Sequence, residues 1–72
     1  IEKKEQFVPL PELRPEERAI VDALGEETLK IDELIRKSGL PASKVISLVA
    51  VLEFKQVLRR REGNAVSRRT LS

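Results

Sequence analysis

The apolar positions along this chain keep a helical spacing in three stretches and lose it between them. Ile20, Val21 and Leu24 recur on one stripe behind Pro15, which suits a first helical position, and behind Glu16 and Glu17, which suit the positive end of a helix dipole. Gly25 then offers a left-handed stop. The pattern predicts a helix over 15–24. Thr28-Leu29-Lys30-Ile31 is short and β-branched at two positions, and reads as an extended connector. Asp32 and Glu33 sit in the first turn of a second helix, with apolar Ile31, Leu34 and Ile35 and a basic end at Arg36 and Lys37 before Gly39. Leu40 and Pro41 make a tight turn. From Ala42 to about Lys55, Val45, Leu48, Val49 and Leu52 fall on one face at i, i+3, i+4, i+7, and Phe54 is assigned to the same core.

Beyond that helix the period changes to that of strands. Val57-Leu58-Arg59-Arg60-Arg61 and Ala65-Val66-Ser67-Arg68-Arg69 flank Glu62-Gly63-Asn64, where Gly63 and Asn64 both tolerate positive φ, so a β-hairpin follows. Two helices joined by a short glycine-containing turn form a helix-turn-helix unit. The order helix, connector, helix, turn, helix, hairpin is that of a winged helix-turn-helix: mainly α, three helices plus a small β wing. Residues 1–12 mix charge with Pro9 and Pro11 and read as a linker from a preceding domain, with Phe7, Val8 or Leu10 touching the fold. The domain is expected over 13–69, with a tail at 70–72.

Composition narrows the chemistry. The 72 residues contain no Cys, no His, no Met and two aromatics, Phe7 and Phe54. Zinc sites and the usual nucleophilic and acid/base constellations draw on Cys and His, so no catalytic residue, cofactor or metal site is expected. A domain this small buries only about 60% of its unfolded surface, and its core alone supplies a stability on the order of 3–5 kcal/mol. The longest apolar run, Leu48 to Leu52, is far short of a membrane span, and no signal-peptide pattern is present. A start at Ile1 and the lack of methionine point to an excised piece of a longer protein, and the absence of cysteine fits a reducing cytoplasm.

The formal charge of +2 conceals a division. Residues 1–35 carry five basic and ten acidic side chains, whereas residues 36–72 carry nine basic and two acidic ones. The natural partner for the basic half is a polyanion.

The segments PEERAIVDALG, IDELIRKSGLPASKV and LEFKQVLRRREGN, in this order and spacing, resemble the C-terminal winged-helix domain of the DNA-processing protein DprA (Smf) family over about residues 13–66. Arg14 stands where that family commonly has a capping Ser, Lys30 where it has Ser or Thr, and Gln56 where it has a helix-ending Gly. The resemblance implies a bacterial cytoplasmic protein of natural transformation and recombination. It also implies a nucleotide-binding-like core domain that would bind incoming single-stranded DNA and hand it to the RecA recombinase.

The arginines of the hairpin are the leading candidates for contact with DNA. On a strand, Arg59 and Arg61 share one face and Arg60 takes the other; Arg68 and Arg69 lie on the partner strand. Phosphate contact is weighed against a solvated edge strand. On the third helix, Ser43, Lys44 and Ser47 reach phosphates, but no Arg, Asn or Gln is placed to read base edges. That face equally suits docking on protein through Ile46, Ala50 and Val51. Arg36 and Lys37 offset a helix dipole, and the adjacent carboxylates Glu16/Glu17, Glu26/Glu27 and Asp32/Glu33 are explained by capping and solvation.

The expected function is weak, mostly sequence-independent contact with the backbone of single- or double-stranded DNA, neutralising about 3–5 phosphates. The alternative is a protein-interaction or autoregulatory module that docks on its parent without touching DNA. A sequence-specific transcriptional regulator is disfavoured by the missing base readers.

Overall fold

Each helix forms where its apolar period begins, and a residue of positive φ follows each: Gly25, Gly39 and Gln56. In this computed structural model, which describes residues 6, 7 and 9–71, helix α1 spans Pro15–Leu24 and buries Glu17, Ile20, Val21 and Leu24. Arg14 is its extended N-cap, yet the guanidinium has no acceptor to offer and does not cap. The end is instead closed by the Arg14 backbone N–H, which donates to Glu17 Oε1 at 2.8 Å. Helix α2, Ile31–Ser38, repeats the device, the Lys30 N–H donating to Glu33 Oε1 at 3.0 Å. Each helix thus keeps the reciprocal half of a capping box without the usual hydroxyl half. Gly39, at φ 73°, ends α2 with its N–H bonded to the Ile35 carbonyl.

Helix α3 runs Ala42–Phe54 and buries Val45, Val49 and Leu52, with Leu48 packed at the margin. It closes in a Schellman motif: the Val57 N–H donates to the Leu52 carbonyl at 2.9 Å and the Gln56 N–H to the Glu53 carbonyl at 3.0 Å. Gln56 takes the left-handed position at φ 64°, where the resemblance expected glycine. Val57 and Leu52, the apolar pair that accompanies this motif, are both buried.

Phe54 does not join the core: it is 88% exposed. It follows Val45 by nine residues, and at about 100° per residue that places it half a circumference from the buried face.

Strands β2 (Leu29–Lys30), β3 (Leu58–Arg61) and β4 (Ala65–Arg68) form an antiparallel sheet in the order β2-β4-β3. The expected connector is therefore an edge strand, with Leu29 opposite Val66 and Lys30 opposite Ala65. The wing turns through Glu62-Gly63-Asn64, with φ 77° at Gly63 and 57° at Asn64, and the Asn64 carbonyl accepts the Ile31 N–H at 3.0 Å.

Two segments expected to be irregular also pair. Gln6–Phe7, inside the stretch read as a linker, forms strand β1 against β5, Thr70–Leu71, in the stretch read as a tail. Leu10 and Leu13 pack against the core. Val8, the third residue expected to touch the fold, lies outside the described residues. The core joins Ile20, Leu24, Leu34, Val45, Val49 and Leu52 of the helices to Leu58 and Val66 of the wing, so the sheet is held as a rigid extension of the three helices.

Candidate nucleic-acid interface

The pairing of β3 with β4 decides where the wing arginines point. Arg60 lies opposite Val66, which is fully buried, and turns toward α3, where its Nε lies 3.0 Å from Glu53 Oε1. Arg59 and Arg61, opposite Ser67 and Ala65, alternate to the outer face. There they line a cleft of about 100 Å3 together with the hydroxyl residues Thr28, Ser67 and Thr70 and with Phe7, Arg68 and Glu26. A wider, open groove of about 500 Å3 is lined by the same two arginines together with Thr28, Arg60 and Glu62.

The other candidate cations are committed differently. The Arg68 guanidinium stacks on the Phe7 ring at 4.5 Å, and its buried Nε has no hydrogen-bond partner among the described residues. Arg69 is exposed, and its backbone N–H bonds the Val57 carbonyl at 2.9 Å. Lys44 reaches Glu16 Oε1 of α1 at 3.2 Å, both side chains being about half exposed. Such a pair is worth little to stability, but it partly neutralises Lys44 for any other anion. Among the described residues, neither Arg59 nor Arg61 has a carboxylate within ion-pair distance.

Ser43 and Ser47 are exposed one turn apart on α3 and line neither the cleft nor the groove. Beside them stand Ile46, Ala50, Val51 and Phe54, all exposed. The expected site therefore falls on two unlike surfaces: a cationic outer wing, and an uncharged, largely apolar helix face.

The acidic residues assigned to capping and solvation have further work. Glu17 is only 3% exposed, caps the Arg14 N–H, and places both oxygens 3.0 Å from Lys55 Nζ. Its carboxyl is held below the usual glutamate range, first by the Arg14 N–H and then by the Lys55 ammonium, against the opposing effect of burial. Sequence reasoning missed the counterions Glu16 and Glu53 and the cleft residues Thr28, Ser67 and Phe7. The visible signal was Phe7 itself, an aromatic inside a stretch otherwise of linker character.

Three helices with a helix-turn-helix between α2 and α3, followed by a hairpin that closes a three-stranded sheet, define a winged helix domain. The family described as the DprA winged helix domain matches residues 4–64, most of the chain and up to the wing's turn. The chain belongs to that family. No curated protein and no solved structure matches it. Among the described residues, no helix is long and apolar enough to cross a membrane.

Proposed function

We propose that this domain holds the phosphate backbone of DNA against the outer face of its wing, as an accessory module of a cytoplasmic DNA-processing protein of natural transformation and recombination. Arg59 and Arg61 carry the contact, because they share the outer face and no described carboxylate lies within ion-pair distance of them, unlike Lys44 and Arg60, although Glu26 and Glu62 line the same cleft and groove. Guanidinium forks pair phosphate oxygens bidentately, and the hydroxyls of Thr28, Ser67 and Thr70 in the same cleft supply further donors. Arg69, exposed just beyond β4, adds to the positive field.

Binding of this kind is sequence-independent. Apart from Lys44, which is paired with Glu16, the exposed positions of α3 offer no bidentate donor to a base edge. The parent's nucleotide-binding-like core remains the main DNA site in this reading, and any handover to the RecA recombinase passes through that core.

With Lys44 and Arg60 paired internally, the contact neutralises about 2–3 phosphates, fewer than the full set of basic residues implies. Fluorescence anisotropy of the 72-residue chain with unrelated single- and double-stranded oligonucleotides, at several salt concentrations, tests this. The expected result is weak binding whose logarithm falls with log salt at a slope near −2 to −3 on duplex. Absence of binding to both forms at low salt overturns the reading.

A further inference from the structure

We infer that the cleft on the outer face of the wing prefers a phosphomonoester, the terminal phosphate of a DNA strand, over a phosphodiester from within the strand. The inference rests on the reading of that face as a phosphate-binding surface and names the phosphate that fits it best.

Charge is the first observation. Three guanidinium groups, those of Arg59, Arg61 and Arg68, line the cleft against one carboxylate, Glu26, which leaves it a net charge of +2. Among the described residues none of the three has a carboxylate within ion-pair distance. A phosphodiester within a strand carries one negative charge, whereas a phosphomonoester carries about −1.5 to −2 at neutral pH and offers a further free oxygen. The monoester is the closer match to the cleft.

Arg68 supplies what the two outer arginines lack. Arg59 and Arg61 are exposed, but Arg68 is half-buried and its guanidinium is stacked on the Phe7 ring at 4.5 Å. A cation held in place in this way loses little freedom when it pairs with an anion. Its buried Nε finds no acceptor among the described residues, and an unmet buried donor calls for one.

Size separates a phosphate from a nucleotide. The cleft holds about 100 Å3, below the roughly 300 Å3 at which pockets for whole small molecules begin. It takes the phosphate group, to which the hydroxyls of Thr28, Ser67 and Thr70 can donate, and leaves sugar and base outside. The wider groove of about 500 Å3 shares Thr28, Arg59 and Arg61 with the cleft, and so gives the rest of the strand a path directly beside it. That adjacent groove favours a strand end over a free phosphate ion.

Competition binding by the 72-residue chain at low salt tests this. The competitors are short oligothymidylates with a 5′-phosphate, with a 3′-phosphate or with hydroxyls at both ends, a circular oligothymidylate, and inorganic phosphate. At least one phosphorylated strand should compete about tenfold more strongly than the hydroxyl-ended and circular ones, the worth of one further charge-assisted hydrogen bond, and the stronger of the two names the end. NMR shifts should centre on the amides of Thr28, Ser67 and Thr70. Arg68→Met should reduce the preference to about twofold or less while the hydroxyl-ended strand still binds through Arg59 and Arg61. Glu26→Gln, at an exposed position, gives a second measurement that does not disturb the Phe7 stack: it should strengthen the phosphorylated strand by about threefold, and the hydroxyl-ended strand by less.

Equal competition by all the strands overturns this inference and leaves the backbone reading standing, whereas absence of binding by every strand overturns both. Inorganic phosphate competing as strongly as the phosphorylated strands overturns the assignment to DNA ends. A preference for phosphorylated strands that survives Arg68→Met and Glu26→Gln unchanged, with shifts away from the cleft, also overturns it.

Discussion

Both carboxylate oxygens of Glu17 lie 3.0 Å from the ammonium nitrogen of Lys55, 38 residues further along the chain. The same carboxylate accepts the Arg14 N–H at 2.8 Å. One acid, 3% exposed, thus ties the first turn of α1 to the residue that follows α3, where the chain leaves the helices for the wing.

The two partners are not equivalent. Lys55 keeps 34% of its side chain in water, so removing Glu17 leaves an ammonium that hydrates. Removing Lys55 leaves a buried carboxylate with its backbone donor alone. Lys55→Met is therefore expected to lower the melting temperature at neutral pH more than Glu17→Gln does. Because the folded carboxyl titrates below its ordinary value of 4.5, its contribution is present above that value and is lost as the pH falls through the lowered one. The gap between the parent chain and Glu17→Gln should close on acidification. Thermal melts between about pH 3 and pH 7 check both statements, and a gap that widens in acid contradicts them.

Gln56 holds a left-handed backbone at φ 64° without the freedom of glycine. The Schellman hydrogen bonds from Gln56 and Val57 fix that conformation, so the strain is not relieved by moving the residue. Gln56→Gly should raise stability by about 1 kcal/mol, a shift of roughly 4–8 °C for a domain of this size. Gln56→Ala, with the same Cβ, should gain nothing. Denaturant midpoints of the two variants decide; equal effects would show that strain at φ is not the source.

The helices, the turn and the wing were legible because each follows from a short-range rule: Pro15 and Gly25 around one apolar stripe, Gly39 and Pro41 around a turn, Gly63 and Asn64 at positive φ. The errors concern side chains whose fate depends on a distant segment. Phe54 looked like core by residue type, although its angular position opposes Val45. Glu17 looked like a solvated dipole partner, because nothing local announces Lys55. Thr28 to Ile31 lacks the length to declare itself a strand, and becomes one only because β4 offers an open edge. At the candidate site, the alternation of Arg59, Arg60 and Arg61 was readable from the strand period. Which arginine meets a carboxylate was not, since Glu53 reaches Arg60 only once the wing folds back on α3.

The contact of Phe7 with Arg68 anchors the first described strand. Cation–π stacking at 4.5 Å on a partly exposed ring is worth about 0.5–1 kcal/mol, and the short β1–β5 ladder has little else described to hold it. Phe7→Ala should lower stability by about 1 kcal/mol and speed amide exchange at Thr70, leaving exchange at Val49 and Leu52 limited by global unfolding. Unchanged exchange at Thr70 would mean that the ladder does not need the ring.

The wing arginines offer a sharper comparison, because Arg59, Arg60 and Arg61 have the same chemistry and differ only in direction. If any dense cluster of positive charge suffices to attract DNA, then Arg60→Ala and Arg61→Ala weaken binding equally. If the outer face makes the contact, the two variants differ. Loss of Arg61 removes a phosphate partner and reduces the salt slope by about 1, and the double variant Arg59→Ala/Arg61→Ala reduces it by about 2. Loss of Arg60 exposes Glu53 without an ion-pair partner on the helix side and leaves the slope nearly unchanged. Its stability effect should stay within about 1 kcal/mol, as for other partly exposed pairs. Salt titrations of the three variants separate the possibilities, and a slope lost equally in Arg60→Ala would move the contact from the outer face to the edge of the wing.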